Sequence, residues 1–270
     1  MRILIAGGSG YLGSQIIRQL GAHHDFINLS LSRQASGAVN DLLLDLSRPI
    51  GFLKLDKPVD MIINCVECHP DRQADGAKKE YLAAVNHLLA FAKANQIPRF
   101  MHFSVNNIDT VENNYQQAKF VAEGIVEHTG LEHIIFKPSI IFGSASPLDR
   151  LVEAVLSRPV MPRFWSKEAM ISPVHISDVL KNIEYALAEP SCWNQTYSLC
   201  GPEYMGVEEM LLRNAPSKPR FLATPEMATR TLLKSLFKEA PNRHLRVLLD
   251  WIATDNVCQK SPLIRPKTFY

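Results

Sequence analysis

An apolar run that stops abruptly on glycines constrains this chain more than any other feature. "RILIA" (2–6) reads as a buried strand and passes directly into "GGSGYLGSQIIRQL", where Gly7, Gly10 and Gly13 stand three apart, with an amphipathic helix expected over 11–21. A turn this bare lets backbone approach a pyrophosphate and aims the helix's free N–H groups and dipole at the anion. The spacing differs from G-x-G-x-x-G by one residue. The bland alternative is that the glycines merely close a tight strand-to-helix turn.

The rest of the first two-thirds repeats this alternation. Further strands are expected at "FINLSL" (26–31), "NDLLL" (40–44), "DMIINC" (60–65), "RFMHFS" (99–104) and "HIIFKP" (133–138), with amphipathic helices over 78–95 and 115–129. Continuous apolar strands separated by helices imply a parallel sheet covered on both faces, an α/β doubly wound arrangement of the Rossmann type. Ligands of such sheets bind at the carboxyl ends of the strands. After Gly143 the rhythm changes: helices are expected over 147–158 and 177–189, a short strand near 171–174, and another at "QTYSLC" (195–200). Prolines 202, 216, 219, 225 and 241 then cut the chain into short pieces. The expected organisation is a dinucleotide-binding domain from 1–143 and 172–200, with a small C-terminal substrate or partner annex from 144–171 and 201–270.

The end of the second strand selects the dinucleotide. An acid there would bind a ribose 2′-hydroxyl, whereas an arginine favours a 2′-phosphate. Here Ser32 and Arg33 hold the place and the first acid after them is Asp41, which points to NADP(H) over NAD(H).

Other classes are disfavoured. A net charge of +2 argues against nucleic acid and leaves a small-molecule substrate or protein partners. The first apolar run is too short for a signal peptide, and no run reaches the roughly 18 apolar residues of a membrane span. Five cysteines make a disulfide framework an unexpected feature and a cytoplasmic location the default. "CVECH" (65–69) fits a haem-attachment pattern, but it follows the strand "VDMIIN", so Cys65 is expected to point into a sheet; no metal site is expected. The segment 224–252 carries Arg230, Lys234, Lys238, Arg243, His244 and Arg246 among leucines, which suits either a solvated helix face or docking to a membrane surface or protein complex.

Tyr115 and Lys119, in "NNYQQAKFVAEG", lie one helical turn apart on the flank of an apolar stripe formed by Ala118, Val121, Ala122 and Ile125. The spacing alone is weak; its context gives it meaning. Over roughly residues 1 to 200 the chain resembles the extended and atypical short-chain dehydrogenase/reductase family, of the NAD-dependent epimerase/dehydratase kind. The ordered matches are "ILIAGGSGYLGSQIIRQL", "LLLDLS", "YLAAVNHLLAFAKANQIPRFMHFS", the Tyr115 and Lys119 pair, "FKPSIIFG" and "SPVHISDVLKNIEYAL". The tail "LLDWIATDNVCQKSPLIRPKTFY" is similar to that of the group containing the complex I accessory NAD(P)-binding subunit.

The resemblance implies that Gly7, Gly10, Tyr11, Leu12 and Gly13 form the cofactor turn and that Asp45 and Leu46 meet the adenine. Cys65, Asn86 and Pro138 would complete the cofactor contacts. Tyr115 would be the acid/base group, with Lys119 lowering its pKa and bonding the nicotinamide ribose. The family's third member is a Ser or Thr two residues beyond Ser104, and here that position is Asn106, whose amide can still donate to a carbonyl oxygen. Ser104 or Asn107 could stand in for it. His69 and His175 each follow an expected strand and are further candidates to face the ligand. A non-catalytic protein that uses NADP(H) as a structural ligand or redox signal, for example in respiratory-complex assembly, is the competing expectation.

Overall fold

A computed structural model describes residues 1–30, 40–68, 74–108, 114–163, 165, 167–213, 219–223 and 256–258. Ser32, Arg33, His69 and the basic segment 224–252 lie outside them.

The strands form where the sequence is apolar and β-branched. Along the chain β1 (Arg2–Ala6), α1 (Tyr11–Leu20), β2 (Asp25–Ser30), β3 (Asn40–Leu43) and β4 (Met61–Asn64) are followed by α2 (Ala74–Ala94), β5 (Arg99–Phe103), α3 (Asn114–Glu127) and β6 (Glu132–Pro138). Next come β7 (Ile141–Phe142), α4 (Pro147–Leu156), β8 (Val160–Pro162), β9 (Met170–Ile171), β10 (Val174–His175), α5 (Ile176–Ala188) and β11 (Gln195–Leu199). The described elements end with β12 (Met205–Gly206), α6 (Val207–Leu212) and β13 (Arg220–Leu222).

Seven strands make one sheet in the order β11-β6-β5-β4-β1-β2-β3, and every pairing in it is parallel. The order reverses at β1, between β4 and β2, which is the topological switch point where such sheets open a crevice. This is the Rossmann architecture expected from the alternation of runs. The strands alternate sides by ordinary pleating. Ile3, Ile5, Met61, Ile63 and Met101 pack with Ile16, Ile17 and Leu20 of α1 and Val179 and Ile183 of α5. Leu4, Ala6, Ile62 and Phe100 pack on the other face with Val85 and Leu88 of α2 and Ala118, Ala122 and Val126 of α3.

A third, smaller apolar cluster gathers Leu148, Leu151 and Val155 of α4 with Met161, Trp165, Ile171, Met205 and Leu211. The single strand expected near 171–174 is two, because β9 pairs antiparallel with β12 in this cluster while β10 pairs parallel with β7.

One link departs from the cysteine expectation. Cys200, just past β11, is disulfide-bonded to Cys258, leaving Cys65, Cys68 and Cys192 as free thiols. The bond fastens a short returning segment that also forms a bridge between Ile171 and Asn256.

Candidate active site

The carboxyl ends of β1, β4, β5 and β6 converge on one pocket lined by Gly10, Gly13, Cys65, Glu67, Ser104 and Lys119. Tyr11, Leu12 and Pro138 line it too.

The floor is the glycine turn. Gly7 has φ +84°, and a Cβ there would lie 2.8 Å from the Cys65 carbonyl oxygen. A Cβ on Gly13 would run into the Gly7 carbonyl oxygen and sit 2.7 Å from the Gly8 Cα. Helix α1 has Gly10 as its N-cap, with no side-chain cap and no acid in its first turn, so its N–H groups and dipole remain available to an anion. These features fit a pyrophosphate.

A residue the sequence reading passed over holds this turn in place. Asn28 is fully buried in the middle of β2; its Oδ1 accepts the Gly8 N–H at 2.9 Å and its Nδ2 donates to Asp41 Oδ1 at 2.8 Å. The signal was a lone amide in an apolar strand, which must find partners when buried. Asp45 and Leu46 follow β3, where Asp45 Oδ1 accepts the Ser47 N–H at 3.0 Å and Leu46 is buried in the core. Asn86 is not brought to the pocket: it is exposed on α2 and its amide donates to the Leu82 carbonyl at 2.9 Å. His175 is occupied as the cap of α5, its Nδ1 accepting the Ser177 N–H at 3.2 Å.

The Tyr115 and Lys119 pair lies on α3 with a partner that the sequence did not reveal. Lys119 Nζ is 2.9 Å from Glu67 Oε1, with a lysine side chain only 2% exposed and the glutamate at 34%. The same Nζ donates to the Phe103 carbonyl at 3.3 Å, lies 4.8 Å from the Tyr81 ring centroid and 5.8 Å from that of Tyr115. Burial, the largest single influence, works against the Lys119 charge, but Glu67 and Tyr81 together outweigh it and hold the lysine above its ordinary range. Burial, reinforced by Glu67, pushes the Tyr115 hydroxyl well above 10. The expectation that Lys119 prepares a phenolate did not reckon with Glu67, whose carboxylate pairs with the ammonium. Tyr115 does not line the pocket.

Behind Lys119 lies a buried relay of neutral groups. Asn64 Oδ1 accepts the Val66 N–H at 3.0 Å, which fixes its amide to donate to His102 Nδ1 at 3.0 Å. His102 therefore carries its proton on Nε2, 3.4 Å from the Tyr81 hydroxyl. Burial first, and the Lys119 charge second, bring the His102 pKa down to about 3. Burial raises Tyr81 to about 12 and holds the Cys65 thiol far above its usual range.

Asn106, the counterpart of the third catalytic member, and Ser104, which could stand in for it, are both engaged. Ser104 lines the pocket, but its hydroxyl donates to Glu123 Oε1, and the other oxygen of Glu123 meets Lys137 Nζ at 3.2 Å. The Asn106 amide donates to the Val257 carbonyl at 2.9 Å and to Asn256 Oδ1 at 3.2 Å, so the returning segment sits on the group expected to polarise a carbonyl. Asn107 adopts a left-handed conformation, φ 55°, in the turn beyond.

Fold and pocket together define a Rossmann-type α/β protein with a dinucleotide cradle at the switch point of its sheet. More narrowly, the chain belongs to the NAD dependent epimerase/dehydratase family, whose pattern matches residues 3–198. It is 22% identical over 251 residues to the chloroplastic divinyl chlorophyllide a 8-vinyl-reductase of Cucumis sativus, covering 83% of this chain and 59% of that protein. The chain thus spans little more than half of that curated relative. Among solved structures it is similar to the UDP-glucose 4-epimerase of Thermotoga maritima with UDP-glucose, at TM-score 0.69 and 15% identity over 93% of this chain and 98% of that one. The UDP-glucose 4-epimerase of Thermus thermophilus in complex with NAD gives 0.67 and 14% over 93% and 99%. A dTDP-4-dehydrorhamnose reductase of Clostridium acetobutylicum gives 0.67 and 17% over 83% and 84%. These structural likenesses speak to the fold. No described helix is long and apolar enough to cross a membrane, and the described residues contain no metal-binding cluster.

Proposed function

We propose that this chain is an NADP(H)-dependent oxidoreductase or epimerase-type enzyme acting on a small alcohol or carbonyl, with Tyr115 as the acid/base group and Lys119 as its partner. The observation that carries this reading is the shared pocket, where Lys119 and Ser104 meet the glycine cradle at the ends of β1, β4, β5 and β6. When bound, a reduced nicotinamide supplies the hydride. The chain's own part is to hold the pyrophosphate on Gly7 to Gly13 and the α1 N-terminus, to bond the ribose through Lys119, and to move a proton at the Tyr115 hydroxyl. Ser32 and Arg33 support the choice of NADP(H), and Asp41 is consistent with it because its carboxylate serves Asn28. The apolar cluster of α4, β8, β9 and α6 is assigned to the substrate annex, and in the cytoplasmic location expected from the sequence the Cys200–Cys258 bond has to resist reduction. Titration with NADPH and NADH, followed by a screen of alcohols and carbonyl compounds, tests the reading. NADPH should bind at least about tenfold tighter, and Arg33→Ala should erase the difference. If Tyr115→Phe leaves turnover of the identified substrate unchanged, Tyr115 is not the proton donor.

The grip of Asn256 and Val257 on Asn106 favours a second reading. In it the chain binds NADP(H) without turnover, as a redox sensor or in respiratory-complex assembly, and docks through the basic segment 224–252 as the likeness to the complex I accessory group suggests. Cofactor oxidation with any member of a broad substrate panel would count against it.

A further inference from the structure

We propose that Ser104 accepts a hydrogen bond from the carboxamide N–H of the nicotinamide, because its own proton is committed to the buried Glu123 carboxylate. The inference rests on the dinucleotide reading above and deepens it at one residue.

A serine hydroxyl has one proton to give and lone pairs with which to receive. Ser104 follows β5 at the pocket, and its backbone N–H is spent on the Phe136 carbonyl at 2.8 Å. Its Oγ donates to Glu123 Oε1 from α3. The other carboxylate oxygen meets Lys137 Nζ of β6 at 3.2 Å, with the glutamate side chain 11% exposed and the lysine 13%. Burial raises the Glu123 carboxyl, while the Ser104 bond and Lys137 both favour its charged form. An ion-paired carboxylate has no proton to return, so what Ser104 keeps for the pocket is an acceptor. Such a group cannot polarise a carbonyl oxygen, but it can hold an N–H.

Topology says which N–H. With the pyrophosphate on Gly10 and Gly13, the adenosine half belongs to the side of β2, after which Ser32 and Arg33 follow in the sequence. The nicotinamide half belongs to the opposite side of β1, where β4, β5 and β6 lie in order. Ser104 lines the pocket there, between Cys65 after β4 and Pro138 at the end of β6. The carboxamide is the hydrogen-bond donor that a nicotinamide ring carries.

Calorimetric titration with NADP and with its acetylpyridine analogue, in which a methyl ketone replaces the carboxamide, tests the assignment without turnover. Wild type should bind the carboxamide form about three- to tenfold tighter. Ser104→Ala should reduce that preference by about the same factor. Glu123→Gln is the sharper variant, and Glu123 a positioning residue that acts through Ser104. Lys137 only donates, so it takes the glutamine carbonyl and turns the amide N–H groups toward Ser104, whose hydroxyl then donates into the pocket. The preference should therefore fall below that of wild type and move toward the ketone. A merely structural role for the Ser104–Glu123–Lys137 chain would weaken both dinucleotides alike and leave the ratio unmoved. That result, or a wild-type ratio near one, overturns the proposal. If one variant does not fold, the other and the wild-type ratio decide. If wild type binds neither dinucleotide, the cradle reading and the proposal fall together. The expected ratios with no turnover of any alcohol or carbonyl compound would sink the oxidoreductase reading and leave the role of Ser104 standing.

Discussion

Reducing the Cys200–Cys258 bond should destabilise the folded chain by an amount that follows from its position. The cysteines are 58 residues apart. Closing a loop of that length in the unfolded chain removes entropy worth about 4 kcal/mol at 25 °C. That is a large share of the roughly 5–15 kcal/mol by which folded domains are stable. The loss should be concentrated at one place, because Asn256 is held through Met170, Ser139 and Ser172 and its neighbour Val257 by Asn106. Denaturant unfolding of the oxidised protein, compared with a Cys200→Ser/Cys258→Ser variant, should show a clear fall in the midpoint. Thiol titration of the unreduced, denatured protein should count Cys65, Cys68 and Cys192 and no others. Five reactive thiols, or an unchanged midpoint with the bond demonstrably intact in wild type, would refute the reasoning.

Gly13→Ala should abolish dinucleotide binding by calorimetry while leaving the circular dichroism spectrum largely native, since its Cβ meets backbone of Gly7 and Gly8 rather than a side chain that could turn away. Asn28→Leu should cost about 1–3 kcal/mol in urea unfolding, because the Gly8 N–H loses its acceptor and Asp41 loses a donor. His102 contributes a pH dependence of definite sign. Its folded pKa near 3 lies below the unfolded value near 6.5, so its stabilisation is complete above pH 6.5 and is lost as pH falls toward 3. The full effect is about 5 kcal/mol, and His102→Gln should flatten the stability profile over that window.

The sheet was legible because its strands are short, continuous and apolar, a pattern that only burial on both faces explains. The glycine turn was legible because the left-handed φ of Gly7 and the approach of Gly13 to the Gly7 and Gly8 backbone are local demands, although the Cys65 carbonyl that also crowds Gly7 is not. The surroundings of the Tyr115–Lys119 pair were not. A helical wheel puts Lys119 on the flank of α3, but Glu67 reaches it only through the parallel stacking of β4 and β5, a relation that no local spacing records. The engagement of Asn106 was hidden for the same reason, its partners lying 150 and 151 residues away. Asn86 shows the converse: its place in the motif was legible, but its exposure on α2, away from the pocket, was not.

The returning segment also bears on the order in which the molecule is completed during synthesis. Once residue 199 has emerged, all seven strands of the main sheet are available to pair. Domains generally fold as units as the chain grows, so the cofactor cradle can form while the remaining residues are still being made. Asn106, Ser139, Ser172 and Cys200 must nevertheless wait for residues 256 to 258. A chain arrested after β11 would therefore carry a finished seven-stranded sheet with Asn106 unsealed, and the arrival of residues 256 to 258 decides when that side closes.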